Sequence, residues 1–462
     1  MKSTQADTIP ASGVRTCLAA VARRVEEGFF LTFVTLSLII PSPITGPFGW
    51  LPIVRIPGIE QAPVAVGPLI LLPGLALTAW AAARAFEHPS HPWHWGKPGI
   101  TRPLAALSLL MLLSLEPTLT RRTSLVLLVL GLLWWFYLYV INESPDLTTP
   151  LTLVILLQSG IALGQFAVQG DLGLQALGEP LLDVQQSGTC VLFARGQRWL
   201  RAYGLSGHPN LLGALLSVLL LLVVDDIVEA RGWARVWFTL IASAGLLGLL
   251  VTFSRNAWLA FCLGLAAWLL RQGICRRRRQ NGDEQRPLFS VADILRRHAH
   301  LAAPVALALL FLLFHLDLVG SRFLHLETPI EARSVAERTT DASLALRLIA
   351  KHPWRGVGVN NYLVAVRAIE ADSRTVHNIL LLVAAELGLP GAALWVWLTL
   401  EGLARPLTPG WAAWIALLIT GVFDIALFPT TSWYAAGMFG LLAAHTSAAQ
   451  RTAGESQAVD RA

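Results

Sequence analysis

The sequence has little charge for its length. Only 14% of its 462 residues are Asp, Glu, Lys or Arg, whereas 55% are hydrophobic, and the mean hydropathy is +0.59. A water-soluble chain needs a more polar surface, so the series of soluble domains that the length alone suggests is excluded. Apolar stretches of about 17–24 residues recur instead, the length of helix that crosses a bilayer. We therefore predict an all-α, polytopic membrane protein.

Several motifs that serve other enzymes and transporters are also missing. No Asp-x-Asp pair occurs, so a nucleotide-sugar site with a metal between two carboxylates is unsupported. No Gly-x-x-x-x-Gly-Lys-Ser/Thr loop occurs, which disfavours ATP-driven transport. His88, His91 and His94 lack acidic companions and fit a surface loop better than a metal site. We expect no metal and no other cofactor.

The apolar stretches predict about twelve transmembrane spans. They lie at approximately residues 27–41, 64–85, 103–116, 123–141, 149–169, 208–224, 236–252, 257–271, 301–319, 378–400, 409–426 and 432–449. Pro41 interrupts the first span, and the third span is short. The first 25 residues are polar and no small-residue cleavage site follows them, so we predict no cleavable signal peptide.

Basic residues predict the orientation of these spans. Arginine or lysine precedes the first span and follows the second, sixth and eighth, so all four positions fall on one side. The positive-inside rule makes that side cytoplasmic and places both termini there. The same rule explains the run Arg276–Arg279, so we predict no nucleic-acid partner. Of the four cysteines only Cys190 falls on the outer side, and we predict no structural disulfide.

Two long segments then lie on the outer side, at about residues 170–207 and 320–376. Loops of this length usually carry function. We predict three regions. Residues 1–319 carry spans one to nine, the outer loop and a basic cytoplasmic loop at 271–300. Residues 320–376 form a helical subdomain on the outer membrane surface, and residues 377–462 carry the last three spans and a cytoplasmic tail.

Arg255 and Asn256 occupy the short outer connection between the seventh and eighth predicted spans. An arginine between two apolar segments is costly unless it lies at an interface or faces a wet cavity. Its guanidinium offers a fixed fork of donors that matches phosphate oxygens, and Asn256 can cap the next helix. The alternative is an arginine that extends to lipid head groups.

Further candidates enter from the two long outer segments. His377 and Asn378 open the tenth span, where a histidine can act as a general base, the alternative being an ordinary interfacial histidine. Arg338 offers another guanidinium, with a solvated or salt-bridged side chain as the alternative. Arg201 and Asn210 lead into the sixth span. Arg201 offers an anion ligand, and Asn210 lies at the turn where the helix starts. An ordinary loop-to-helix junction is the alternative there.

Two acidic residues lie within predicted spans. Asp424, near the outer end of the eleventh span, is unusual because burying its charge is costly, and we include it as a site candidate. Glu386 lies about 180° around a helix from His377 and about 13 Å deeper. We therefore predict that Glu386 makes a polar packing contact near Gly388 and Gly391 and does not act on the same substrate atom.

Together these segments resemble the O-antigen ligase family, which shares a C-terminal region with O-antigen polymerases and protein O-oligosaccharyltransferases. The resemblance covers about residues 200–391. Its motifs are Gly207-His208-Pro209-Asn210, Phe253-Ser254-Arg255-Asn256-Ala257-Trp258, an arginine upstream of His352-Pro353-Trp354-Arg355-Gly356-Val357-Gly358, and His377-Asn378 leading to Glu386-Leu387-Gly388-Leu389-Pro390-Gly391. Each motif alone is weak, but their order on one side of the membrane makes the combination specific.

The resemblance implies a glycosyltransferase of the bacterial inner membrane with its active site in the periplasm. Its donor would be O-antigen on undecaprenyl pyrophosphate, and its acceptor a sugar hydroxyl of lipid A–core oligosaccharide. Arg255 and Arg338 would bind the pyrophosphate without a metal, and His377 would take the proton from the hydroxyl or orient it. Direct attack would invert the anomeric centre. We assign substrate binding to four further residues: Arg201, Asn210, Asn256 and Asn378.

The chain departs from the family pattern at one position. The family commonly has a tryptophan four residues after the loop arginine, whereas this chain has Ala342. Arg338 is assigned by its spacing to the His-Pro-Trp turn, and Arg333 and Arg347 remain alternatives.

An O-antigen polymerase, with lipid-linked glycan as acceptor, remains an alternative function. The alternative from another functional class is a lipid-linked glycan flippase or other transporter. Such a protein should place charges on both sides of a pathway, whereas the charges of this chain gather on one face.

Overall fold

Apolar helices make up most of the part of the chain that the computed structural model describes. That part comprises residues 93–115, 121–194, 196–280, 299–323, 329–406, 410–425 and 433–448, with further positions between 21 and 38, between 78 and 84, and at 408, 427 and 428. The helices are α1 (Pro98–Leu113), α2 (Arg121–Glu143), α3 (Thr148–Val168), α4 (Pro209–Leu222), α5 (Val224–Glu229), α6 (Trp233–Val251), α7 (Arg255–Gln280), α8 (Ala302–Phe314), α9 (Leu316–Phe323), α10 (Pro329–Lys351), α11 (Tyr362–Arg367), α12 (Ile379–Leu403), α13 (Trp411–Phe423) and α14 (Trp433–Ala448).

Five of the described helices are long and apolar enough to cross a membrane. These are α3, α6, α12 and the segments Val126–Glu143 of α2 and Arg255–Cys275 of α7. Helices α8 and α9, bent by 77° at their junction, pass the same test as a pair, and α1, α4 and α13 are shorter apolar helices. A mostly helical, multi-pass membrane protein is thereby confirmed. The count of twelve spans stays a prediction, since span 64–85 lies largely outside the described residues and span 27–41 lies partly outside them.

The segment 170–207 departs from the all-α prediction. It contains an antiparallel hairpin of β1 (Val191–Ala194) and β2 (Gln197–Leu200), preceded by a single 3-10 turn at Gln175–Leu177. Gly196, with φ +71°, supplies the left-handed conformation that a tight hairpin turn needs. Four-residue strands are too short for a search based on long apolar stretches, so the sequence analysis missed them.

Helix α7 places the arginine-rich run and the candidate site residue Arg255 at its two opposite ends. The helix extends to Gln280, past the predicted span end at residue 271, because arginine itself favours helix. Near this end Asp225 accepts hydrogen bonds from Trp268 Nε1 at 2.7 Å, Arg271 Nη1 at 2.7 Å and Gln272 Nε2 at 2.8 Å. The Asp225–Arg271 ion pair thus lies at the end of the bundle away from Arg255.

The helices pack in pairs around a continuous apolar core. Helix α2 packs along α14, α7 along α13, α3 along α6 and α1 along α12. Helix α4 contacts both α7 and α13. The starts of α4, α7 and α12 and the end of α13 therefore meet at one end of the bundle, and α10 packs against α12.

Helix α12 is broken at Gly388, whose φ of +71° and ψ of −174° are not helical. The 353–358 turn supplies hydrogen bonds at the break: Val357 N–H donates to Ala385 O at 2.9 Å, and Leu389 N–H donates to Pro353 O at 2.7 Å. A side chain at Gly388 would meet the backbone of Pro353 and Trp354, so only glycine fits.

Glu386 makes the polar packing contact that the sequence predicted. It is 4% exposed and accepts a hydrogen bond from the Tyr362 N–H at 3.3 Å, at the start of α11. One packed unit therefore contains the break in α12, the His-Pro-Trp turn and α11, and it contacts α10.

Candidate functional site

His377 lies two residues before the first residue of α12, where a side-chain hydrogen bond of Asn378 joins α12 to α13. Asn378 caps α12, since its Oδ1 accepts a hydrogen bond from the Leu381 N–H at 2.9 Å. Its Nδ2 donates to the carbonyl oxygen of Val422, near the end of α13, at 3.0 Å. The position of His377 is therefore set by both α12 and α13.

Asp424 faces His377 from the end of α13. Its Oδ1 lies 3.9 Å from His377 Nδ1, and the two side chains are 14% and 38% exposed. Solvent screens such a half-buried pair less than a surface pair. The other carboxylate oxygen, Oδ2, accepts a hydrogen bond from Asn210 Nδ2 at 3.1 Å. Three residues that the sequence marked as candidates therefore form one chain of contacts.

Arg201 extends this chain of side-chain contacts into the interior of the protein. It is 7% exposed, and its Nη2 donates to Asn210 Oδ1 at 2.6 Å while its Nε donates to Thr252 O at 2.8 Å. The amide of Asn210 is thus held at its oxygen by Arg201 and at its nitrogen by Asp424. This geometry suits Arg201 to orient Asn210, and direct binding of an anion by Arg201 stays a prediction.

A cavity of about 240 Å³ opens beside His377. It is lined by Arg338, Ala342, Val376, His377, Asn378, Leu381, Val422 and Phe423. Three of the predicted site residues, Arg338, His377 and Asn378, therefore border the same space although they come from distant parts of the chain. A guanidinium beside an imidazole can bind an anion while the imidazole transfers a proton.

Arg338 is the loop arginine that borders this cavity. Arg347 is exposed farther along α10 and does not line the cavity, and the side chain of Arg333 lies outside the described residues. Ala342, which stands where the family commonly has tryptophan, lines the cavity one helical turn after Arg338. Its small side chain leaves the space open.

The turn before Arg255 is held in an unusual conformation. Phe253 has a φ of +46°, a left-handed conformation that side chains other than glycine rarely adopt. Its ring is completely buried and contacts the rings of Phe166, Trp258 and Phe311. This aromatic packing stabilises the turn and thereby positions Arg255, the first residue of α7.

Arg255 binds backbone near α9 and does not line the cavity beside His377. Its Nη1 donates to the carbonyl oxygen of Arg322 at 2.8 Å, and Arg322 Nε donates to Phe253 O at 3.3 Å. Two of the three predicted catalytic residues therefore share one cavity, and the third lies at a neighbouring helix start.

The predicted helix cap at Asn256 is wrong. Helix α7 begins at Arg255, so Ser254 precedes it, and Ser254 Oγ accepts from the Ala257 N–H at 3.5 Å. Asn256 lies within the first turn, and its Nδ2 donates to Thr420 O on α13 at 3.1 Å. This bond joins the start of α7 to the end of α13 that carries Asp424.

A cysteine–histidine pair beside this chain of contacts escaped the sequence analysis. Cys190 Sγ lies 3.2 Å from His208 Nε2, and His208 Nδ1 accepts the Asn210 N–H at 3.1 Å. Because Nδ1 accepts, the proton of a neutral His208 lies on Nε2 and is directed at the sulfur. Burial raises the pKa of Cys190, but the hydrogen bond and charge of His208 and the charge of Arg201 outweigh it and lower this pKa to about 6. Nothing in the sequence pairs Cys190 with His208.

Asp341 was also missed. It lies on α10 between Arg338 and Ala342 and is only 5% exposed. An acidic residue on a charged helix gives no sequence signal of burial, because the helix period alone does not say which face is covered.

Residues 238–396 match the family model described as O-antigen ligase. The matched segment runs from α6 into α12 and contains Arg255, Arg338 and His377. No curated protein matches the chain significantly.

Proposed function

We propose, from the O-antigen ligase family domain at residues 238–396, that this protein transfers a glycan from undecaprenyl pyrophosphate to a sugar hydroxyl of lipid A–core. The reaction takes place on the periplasmic side of the bacterial inner membrane. His377 is the general base, and Arg338 and Arg255 bind the pyrophosphate. The single observation that carries the proposal is the cavity that Arg338 and His377 border together.

His377 has the surroundings of a general base. Asp424 faces Nδ1 at 3.9 Å, which leaves Nε2 for a substrate hydroxyl. At this distance the carboxylate makes no hydrogen bond to the ring, but its negative charge stabilises the positive charge that His377 gains with the proton. The attacking oxygen then forms its bond to the anomeric carbon on the face opposite the leaving pyrophosphate, so the configuration inverts.

Arg338 is placed to bind the leaving group. Its exposed guanidinium borders the cavity, and N–H donors in a planar fork match two phosphate oxygens at once. Negative charge grows on the pyrophosphate as the glycosidic C–O bond breaks, so this contact strengthens in the transition state. We assign Arg255, at the positive N-terminal end of α7, to the same pyrophosphate, and no divalent cation is needed.

The remaining predicted site residues position this machinery. Asn378 ties α12 to α13, and Asn256 ties α7 to α13. Asn210, held by Arg201, binds the carboxylate of Asp424. We also assign substrate binding to Asn210, Asn256 and Asn378, whose side-chain amides would bind sugar hydroxyls.

A reconstituted transfer assay tests this function. Purified protein in lipid nanodiscs receives lipid-linked glycan and lipid A–core in EDTA, and the glycosylated acceptor is measured by mass spectrometry. We expect transfer that EDTA does not reduce, with inverted anomeric configuration. Loss of transfer in EDTA would contradict the metal-free mechanism. Donor that stays intact after incubation would contradict the proposed transferase activity.

The same assay separates the alternatives. A second lipid-linked glycan replaces lipid A–core as the acceptor. Elongated lipid-linked glycan would make the protein a polymerase, whereas we expect no elongation. Movement of intact donor across the bilayer of proteoliposomes, without transfer to either acceptor, would identify the flippase.

A further inference from the structure

Three glutamine side chains follow one face of the membrane helix α3. Gln158 lies midway along the helix, Gln165 lies two turns farther on, and Gln169 directly follows the last residue. Spacings of seven and four residues place all three on the same side. Gln158 and Gln165 are completely buried. Because polar side chains within a membrane-spanning helix are rare and mark function, this row of glutamines needs an explanation.

The row bonds to the segment 200–205, which leads toward Asn210. Each glutamine oxygen accepts backbone N–H groups of this segment: Gln169 from Leu200 at 2.7 Å, Gln165 from Tyr203 at 3.0 Å and Gly204 at 2.8 Å, and Gln158 from Leu205 at 2.9 Å. Each later residue of the segment therefore bonds nearer the middle of α3. The eleven residues from Gln169 back to Gln158 correspond to about 16 Å of helix.

These bonds meet a need of the segment's backbone. Residues 201–205 are buried and belong to no helix or strand. Non-helical backbone is tolerated at membrane depth only where protein surrounds it and its polar groups are bonded. Ala202 N–H donates to the carbonyl oxygen of Val251 at 2.9 Å. The glutamines provide the bonds for the residues that follow, so they set where the segment lies along α3.

Gln165 uses the full hydrogen-bonding capacity of its amide. Besides the two N–H groups that its oxygen accepts, its Nε2 donates to Gly204 O at 2.8 Å and to Glu179 Oε1 at 2.7 Å. Glu179 is 4% exposed and also accepts two backbone N–H groups from the beginning of the segment 170–207, at 2.9 and 2.6 Å. Gln165 therefore joins both the beginning and the end of this long segment to α3.

The segment that Gln165 holds carries two residues of the chain of contacts at the site. Arg201 Nη2 donates to Asn210 Oδ1 at 2.6 Å, and Asn210 Nδ2 donates to Asp424 Oδ2 at 3.1 Å. The other oxygen of Asp424 faces His377 Nδ1 at 3.9 Å. A shift of the segment along α3 would therefore move both Arg201 and Asn210 relative to Asp424.

We propose that Gln165 is a positioning residue for the site, which sets the place of Arg201 and Asn210 and, through them, of Asp424 beside His377. The proposal rests on the proposed function. Gln165 acts on the transfer step through Asp424, so its loss should lower kcat. The KM for the donor should change little, because Arg338 lies on α10 and does not depend on the glutamine row.

The test compares Gln165→Leu with Gln272→Leu in the full-length protein in nanodiscs. Gln272 is a matched control, since its Nε2 also donates to a carboxylate, that of Asp225 at 2.8 Å, at the opposite end of the bundle. Below both melting temperatures we expect Gln165→Leu to lower kcat at least about tenfold, with the donor KM within about threefold of wild type. Gln272→Leu should keep kcat within about twofold. Equal kcat for the two variants would overturn the proposal.

A conservative variant separates positioning from a general loss of stability. In Gln165→Glu the new carboxyl group lies against Glu179, and one of two adjacent carboxyl groups keeps its proton. It can then donate to Glu179 while its other oxygen accepts the Tyr203 and Gly204 N–H groups. We expect Gln165→Glu to recover part of the kcat that Gln165→Leu loses. If the Glu and Leu variants have the same kcat, Gln165 does not act through these bonds.

Hydrogen–deuterium exchange gives a readout without turnover. In Gln165→Leu we expect the backbone N–H groups of residues 200–206 and 207–212 to exchange about tenfold faster than in wild type, because the bonds that hold the segment are lost. Gln272→Leu should leave both regions unchanged. Wild-type protein that shows no transfer would overturn the proposed function alone, and the exchange result would still stand. Unchanged exchange in 207–212 would mean that Gln165 does not position Asn210, and would overturn the proposal.

Discussion

Asp424 Oδ1 lies 3.9 Å from His377 Nδ1, and the two residues lie just after the end of α13 and just before the start of α12. Forty-seven residues apart in the sequence, they meet because Asn378 bonds to the last turn of α13. Replacing Asp424 with Asn keeps the shape but removes the charge that faces the imidazole. We expect kcat to fall by about 100-fold with a small change in KM, since general-base catalysis is worth about 10²–10⁴. Steady-state kinetics with a saturating donor measures this, and a kcat within threefold of wild type would exclude the pair from catalysis.

Arg338 and Arg347 form a matched pair on α10. The Arg338 side chain borders the cavity, whereas the Arg347 side chain is exposed and does not. Arg338→Ala should raise the KM for lipid-linked donor and lower kcat, together at least 100-fold in kcat/KM, because a charge-assisted contact to the leaving group is lost. Arg347→Ala should stay within twofold of wild type. The reverse pattern would identify Arg347 as the loop arginine of the site.

The Arg201–Asn210–Asp424 chain should matter for stability as well as for activity. Asn210→Ala leaves the buried guanidinium of Arg201 without one acceptor and Asp424 Oδ2 without its donor. Such a loss costs about 1–3 kcal/mol, so we expect a lower melting temperature and a lower kcat. Thermal unfolding followed by intrinsic tryptophan fluorescence reports the first effect. An unchanged melting temperature would show that the chain of contacts does not form in the folded protein.

Cys190 should react with alkylating reagents at a lower pH than an ordinary thiol. Its pKa is lowered to about 6, so the thiolate predominates at pH 7. Iodoacetamide labelling of Cys190, followed by mass spectrometry between pH 5 and 9, should reach half its maximal rate near pH 6. His208→Ala should move this midpoint upward, because the hydrogen bond to the sulfur is lost. An unchanged midpoint in the variant would contradict the pairing.

Gly388→Ala should disturb the break in α12. The position needs a φ of +71°, and a new Cβ would meet the backbone of Pro353 and Trp354. A strained backbone of this kind costs about 1–3 kcal/mol, so we expect a lower melting temperature and slower transfer as the His-Pro-Trp turn shifts. Gly131→Ala is the control, since a Cβ at Gly131 meets nothing within 4 Å. Equal melting temperatures for the two variants would contradict the close packing at the break.

The membrane architecture could be predicted because long apolar stretches report helices directly. The stretch at 378–400 became α12, and the stretches at 149–169 and 236–252 became α3 and α6. The β-hairpin at 191–200 could not be predicted this way, because its strands alternate over only four residues each. The break of α12 at Gly388 was not predicted, because the apolar stretch 378–400 continues through it and the turn that bonds to it comes from residues 353–358.

The sequence grouped several candidate residues on one side of the membrane but did not predict their contacts. His377, Arg338 and Asn378 border one cavity as their shared membrane side suggested. The sequence did not show that Arg201 is buried behind Asn210, since burial of a charged side chain depends on partners far away in the chain. The burial of Asp341 was missed for the same reason.

The rate of transfer by His377→Gln decides whether His377 is the general base. His352→Gln serves as the control, since His352 is exposed and does not line the cavity. With lipid-linked glycan and lipid A–core in nanodiscs, we expect His377→Gln to transfer at least 100-fold more slowly than wild type at an unchanged melting temperature, because no other group takes the proton. His352→Gln should match wild type. Transfer by folded His377→Gln at the wild-type rate would contradict the account.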